Sequence, residues 1–128
     1  MQPKLVKFNK VDFVQAKWSG SNESGYQPLG DKVIVAIDKA SSISMGGVEI
    51  PQDVVERLSM AAEIGTLVAQ GEGAFKYNSD GTLYIGRVPQ PGERVFIERY
   101  AGQIVTGKDG WAYRVMDCKS IGAIQEGK

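Results

Sequence analysis

The sequence predicts a small all-β domain of the barrel or sandwich kind, and three observations carry that reading. Short runs rich in β-branched residues recur along the chain, Gly, Pro and Asp separate them, and patterns long enough for helices are scarce. Gly is abundant at 16 residues and recurs between those runs and not inside long helical patterns. With 128 residues, 42% of them hydrophobic, the chain can bury one compact core, whereas two separate domains would each be marginal.

The elements follow in order. Residues 1–27 form an extension in which Lys4, Lys7, Lys10 and Lys17 alternate with Leu5, Val6, Phe8, Val11, Phe13 and Val14. The apolar positions fit neither the helical nor the strand period, so strand, short helix and an arm ordered only on binding all stay open. Residues 18–25, Trp-Ser-Gly-Ser-Asn-Glu-Ser-Gly, read as a flexible linker, which puts the start of the folded domain at residue 28. Lys32-Val33-Ile34-Val35-Ala36-Ile37 is the most strongly marked strand. Residues 39–50 then turn to small polar residues and a Gly pair, too little apolar surface to offset the entropy of ordering, and are expected to be a mobile loop. Val48 and Ile50 would share one side of an extended chain there, with Glu49 on the other. That arrangement suits a two-pronged apolar contact with a partner groove, although the residues alone favour the start of a further strand. Residues 51–62 space apolar side chains at 54, 55, 58, 61 and 62, as one short helix would.

Beyond it, residues 65–70 read as a strand and Gly71-Glu72-Gly73 as a break. Residues 74–77 and 82–85 flank Asn78-Ser79-Asp80-Gly81, a strong hairpin signal in which Phe75, Tyr77 and Tyr84 could stack across the pair. Residues 94–98, 102–106, 111–116 and 121–124 complete the strands. Alternation puts Tyr113, Val115 and Asp117 on one face and Arg114, Met116 and Cys118 on the other, with Cys118 an inert packed thiol. The runs 32–37 and 121–124 are read as the strands at the two barrel ends, where edges left open on a small barrel are liabilities.

Composition excludes much chemistry. Without a single His and with one Cys, the usual zinc sets and His-based triads are unavailable. No Gly-Lys-Ser/Thr follows Gly73, so the Gly-Glu-Gly turn is not a phosphate loop. The acidic pairs Glu93/Glu98 and Asp109/Asp117 read as solvated loop charges. Fifteen basic against fifteen acidic residues leave no global field for nucleic acid or an anionic membrane. No stretch reaches the roughly 20 apolar residues of a membrane span, and the lone Cys fits a reducing cytoplasm.

The order of these pieces resembles the GroES-type co-chaperonin family over residues 28–125. Pro28-Leu29-Gly30-Asp31-Lys32-Val33 is similar to its opening strand, and Gly46-Gly47-Val48-Glu49-Ile50-Pro51 to its mobile loop. Gly65-Thr66-Leu67-Val68-Ala69-Gln70-Gly71, Pro91-Gly92-Glu93-Arg94-Val95, Tyr100-Ala101-Gly102 and Ile121-Gly122-Ala123-Ile124 resemble four further family segments in the family order. The resemblance implies an irregular GroES-like β-barrel over residues 28–128, assembled as a homo-heptameric ring that caps an ATP-bound GroEL-type chaperonin. It implies neither catalysis nor a cofactor, and neither a membrane nor a nucleic-acid partner. By residue, it assigns chaperonin binding to Gly46, Gly47, Val48, Glu49 and Ile50, a roof hairpin to Phe75, Tyr77, Asp80, Gly81 and Tyr84, and a cavity-facing aromatic to Tyr100. Three features depart from the family pattern: Glu49 stands at a commonly apolar position, residues 51–64 look longer and more helical, and the amino-terminal arm is additional. Such elaboration resembles the divergent co-chaperonins of bacteriophages.

Overall fold

Six antiparallel strands dominate the computed structural model, which describes residues 13–16, 18–40, 57 and 63–126. In chain order they are β2 (Lys32–Ile37), β4 (Ile64–Gln70), β5 (Arg94–Ile97), β6 (Gln103–Thr106), β7 (Ala112–Asp117) and β8 (Ile121–Ile124), with a 3-10 turn at Cys118–Ser120. Two short strands, β1 (Phe13–Val14) and β3 (Lys39–Ala40), pair separately. The six strands expected outside the 74–85 hairpin all form, each within a residue or two of its expected ends. The helix expected over 51–62 lies outside the described residues apart from Arg57.

The sheet runs β6-β7-β2-β4-β5-β8. Here one expectation is corrected: β2 is no open end of the barrel, because β7 and β4 pair with it on its two sides. Its near-continuous Val/Ile run is what a strand buried on both faces needs. The strands with one unpaired side in that sheet are β6 and β8.

Alternation sends Val33, Val35 and Ile37 of β2, Leu67 of β4, Val95 and Ile97 of β5 and Met116 of β7 into one core, together with Ala74 and Cys118. This is the interior of the small irregular barrel. Arg114 shares the inward parity and is fully buried, its charged end spent on turn carbonyls. Ile34, Ala36, Val68 and Tyr113 point the other way and are nonetheless buried, in a second cluster closed by Ala16. The amino-terminal arm supplies part of the cover on that outer face through Ala16, and Val105 and Trp111 pack beside it.

Residues 18–25 are accordingly no loose linker. Ser24 is buried, its N–H and Oγ donate to Asn22 Oδ1 (3.0 and 2.7 Å), and its Oγ accepts the Tyr26 N–H (3.1 Å). The Ser24 carbonyl accepts from Lys108 N in the β6–β7 turn (3.0 Å). Trp18 lies across Gly92, where a Cβ would come within 2.8 Å of the indole Nε1. The small polar residues that suggested flexibility satisfy one another's backbone groups in a tight turn and leave room for close approach.

Candidate functional site

The segment assigned to partner binding, with Gly46, Gly47, Val48, Glu49 and Ile50, lies outside the described residues. The structure does define its two stems. On one side the chain leaves β2 at Ile37 and passes through Asp38 into β3; on the other it returns at Glu63 and Ile64, where the Glu63 carbonyl accepts the Ile97 N–H (2.7 Å).

The first stem carries the least exposed ion pair among the described residues. Arg94 grips Asp38 through two hydrogen bonds, Nη1 to Oδ1 (2.8 Å) and Nη2 to Oδ2 (2.7 Å), a planar fork matched to a carboxylate. Both side chains are largely buried. Asp38 Oδ1 also accepts the Ala16 N–H (3.0 Å), while Thr66 Oγ1 donates to the Ala16 carbonyl (3.3 Å) and accepts from Arg94 Nη1 (3.1 Å). One arm residue thus has both backbone polar groups held by barrel side chains. Nothing local in the sequence signals a contact spanning 56 residues between Asp38 and Arg94.

The segment assigned as a roof hairpin is narrower than two full strands. Tyr77 and Leu83 form one antiparallel bridge, flanked by Asn78 N–H to Thr82 O (2.7 Å) and Tyr84 N–H to Lys76 O (2.9 Å). Asp80 Oδ1 accepts the Thr82 hydroxyl (2.6 Å) and N–H (3.0 Å), and the hydroxyl bond chiefly holds this carboxyl below its ordinary range. Gly81 has φ +90°, the left-handed conformation that made Asp-Gly the turn signal. The expected aromatic stack divides: Phe75 turns toward the core and its N–H meets Cys118 Sγ (3.4 Å), whereas Tyr77 is exposed and Tyr84 donates to the Arg87 carbonyl (2.7 Å). Between hairpin and β8 lies a cleft of about 410 Å³ lined by Phe75, Tyr77, Tyr84, Arg87, Cys118 and Ile121.

Tyr100 is exposed at 62%, with φ +62° and the Arg99 guanidinium 6.0 Å from its ring centre. Its turn is fixed from below by Arg114, whose Nε and Nη2 donate to the Ala101 carbonyl (3.0 and 2.9 Å) and whose Nη2 also reaches the Glu98 carbonyl (2.9 Å). Burial lowers the pKa of this guanidinium. Sequence reasoning placed Arg114 on the face of Met116 and Cys118 without assigning it this positioning role; a charged residue at an inward parity was the available signal.

The remaining polar groups serve turns. Glu93 accepts from Arg87 and from the Gln90 N–H, Asp109 from Tyr113 and the Trp111 N–H, and Asp117 from the Lys119 N–H. Gly71 and Gly73 donate their N–H groups to the Lys32 and Gly30 carbonyls (2.8 Å each), so those donors do not cradle a phosphate. Cys118 is buried against Phe75.

The family model described as "Chaperonin 10 Kd subunit" matches residues 25–125. The chain is 31% identical over 100 residues to the co-chaperonin GroES of Lactobacillus acidophilus, a match covering 78% of this chain and 98% of that protein. It is 31% identical over 98 residues to the GroES of Chlamydia pneumoniae, covering 77% of this chain and 88% of that one. A third relative, the chloroplastic 20 kDa chaperonin of Arabidopsis thaliana, is 30% identical over 101 residues, 36% of its length. The family model covers most of the chain and the fold is a small antiparallel β-barrel, and the chain belongs to the chaperonin 10 kDa subunit family of GroES-type co-chaperonins.

Proposed function

We propose that this protein caps the folding chamber of a GroEL-type chaperonin through Val48 and Ile50, with Gly46 and Gly47 presenting them and Glu49 facing away from the apolar groove. The observation that carries the proposal is the family match, which spans residues 25–125 and so includes that segment. The cap acts in the cytoplasm without chemistry or cofactor of its own. It works as a closed ring of seven copies, with the exposed side of β8 available to a neighbour. Phe75, Tyr77, Asp80, Gly81 and Tyr84 belong to the roof of that ring, and Tyr100 faces its cavity.

Multivalency explains how such a cap both holds and leaves. A single segment that binds at millimolar strength contributes only about 4 kcal/mol, but the first contact raises the local concentration of the others. Weakening each apical site during the chaperonin's ATP cycle then releases the whole ring.

Co-sedimentation with a GroEL-type chaperonin in the presence of ATP tests the reading. Wild type should cap; Val48→Asp or Ile50→Asp should abolish capping with the barrel intact, because a carboxylate against apolar surface lacks a partner. Loss of binding in neither variant would overturn the assignment of these two residues. Glu49, the departure from the family pattern, favours a second reading in which the chain is a GroES-like assembly protein without chaperonin affinity. Failure of the wild type itself to bind would select that reading.

A further inference from the structure

The two stems of the 41–62 segment are held by different parts of the molecule. The returning stem is held by the barrel, through the Ile97 N–H on the Glu63 carbonyl. The outgoing stem is held by the barrel as far as Asp38, and beyond it by the arm: β3 pairs with β1 in register Phe13 with Ala40 and Val14 with Lys39, antiparallel. Two residues further along the arm, Ala16 is 3% exposed and locked by Asp38 and Thr66, with Arg94 fixing both of those side chains. Trp111 adds a bond from its Nε1 to the Ile37 carbonyl (2.7 Å), immediately before Asp38.

We infer that the amino-terminal arm is a tether for the binding segment, fixing the direction in which the chain leaves the barrel after Asp38. Release of β1 would free Lys39 and Ala40 and let the stem swing, while β2 stays paired on both sides. Two extra free residues change the closure entropy of a connection this long very little, since the cost grows only with the logarithm of length. The tether therefore acts through direction: each segment of the ring is presented toward the same plane, and a ring with unaimed segments loses effective concentration at every later contact. The family match begins at residue 25, so β1 and Ala16 lie in the part of this chain that the family model does not cover.

This inference rests on the assignment of Gly46 to Ile50 as the chaperonin contact, and its test separates the two. In the full chain carrying Phe13→Pro with Val14→Pro, whichever of the two residues supplies the ladder hydrogen bonds is disabled. Amide hydrogen exchange of the free protein should then quicken at Lys39 and Ala40 while β2 and β4 remain protected. Binding to a GroEL-type chaperonin with ATP should weaken about tenfold through faster release. Quickened exchange with unchanged affinity would overturn the tether, as would fast exchange at Lys39 and Ala40 in the wild type. Absence of wild-type binding would instead reject the chaperonin assignment and leave the exchange result standing. Should the double proline variant not fold, Thr66→Val, which keeps the shape of the strand residue and removes the hydroxyl bond to Ala16, should show smaller changes in the same directions; no change in either measurement would overturn the tether.

Discussion

Residues 13–26 and 74–85 are both turn-rich segments outside the six-stranded sheet, yet they stand in opposite relation to the barrel. The arm, poor in apolar side chains after Trp18, is integrated: Ala16 and Ser24 are buried, and its backbone is held by Asp38, Thr66 and Lys108. The hairpin, rich in aromatic and aliphatic residues, is largely external, with Leu83 66% and Ile85 95% exposed and most of its hydrogen bonds made within itself. Phe75 alone among its aromatics turns to the core. The difference shows that apolar content does not measure integration here. Polar side chains placed to satisfy both backbone groups of one residue bind a segment to a barrel more closely than a strong local turn does.

That comparison makes Asp38 the most sensitive position. Asp38→Ala leaves the largely buried Arg94 guanidinium without its bidentate partner and frees the Ala16 N–H together. The expected loss is about 3 kcal/mol, in the range for breaking an ion pair by removing one partner. Urea denaturation followed by tryptophan fluorescence checks it, since Trp18 lies on the arm. A loss near zero would show that the arm is held by apolar contact alone.

Tyr113 lies under the arm and tests the same interface by pH. Burial and its hydrogen bond to Asp109 raise the phenol pKa well above the ordinary value of about 10. A group whose pKa is raised on folding contributes its stability fully below the unfolded value and loses it as pH climbs toward the folded one. Stability should therefore fall above about pH 10. Tyr113→Phe should cost about 1.5 kcal/mol at neutral pH and flatten that alkaline decline. Equal alkaline slopes in the two proteins would mean that Tyr113 ionises as freely folded as unfolded.

Ser24→Ala addresses the tight turn directly. Its hydroxyl donates to Asn22 and accepts from Tyr26, so its removal should cost about 1 kcal/mol, measurable as a shift of the urea midpoint at constant slope. A flexible linker would give no shift.

The strands were legible because alternation and turn chemistry act locally. The Val/Ile run of residues 32–37, the Gly-bounded run of 65–70 and the parity of Arg114, Met116 and Cys118 each needed only neighbouring residues to be read. The pairing order was less accessible. Residues 32–37 read as an open end because they begin the barrel in sequence, whereas the topology puts β2 at its centre between β4 and β7. The clamp on Ala16 was not legible at all, since it assembles residues 16, 38, 66 and 94 from four separate segments and uses the backbone of a residue that carries no chemical signal. Ser and Gly in residues 19–25 carried the opposite message from the one the fold uses. In the hairpin the turn was correctly marked by Asp80 and Gly81, but its strand signal came from aromatic residues of which only Phe75 faces the core, so two strands shrink to a single bridge.

The smallest effect is expected on the hairpin, and it discriminates best between the isolated subunit and an assembly. Leu83 and Ile85 project from the barrel, and the turn beneath them is closed by Asn78, Asp80 and Thr82 without help from either side chain. Replacing both by Ser removes exposed apolar surface and no described core contact, so the subunit's stability should change by less than about 0.5 kcal/mol. Two exposed aliphatic residues on one projection are nevertheless an apolar patch of the kind that marks a contact surface. In a ring whose hairpins converge at the roof, the same double substitution would loosen neighbour contacts and make the urea midpoint depend more steeply on protein concentration. Denaturation at two concentrations separates these cases: a midpoint that stays put at both assigns the hairpin to solvent, and one that falls only on dilution assigns Leu83 and Ile85 to a contact between copies. A fall of equal size at both concentrations, with a wild-type midpoint that does not depend on concentration, would contradict the external position of the hairpin itself, because the lost packing then lies within one subunit.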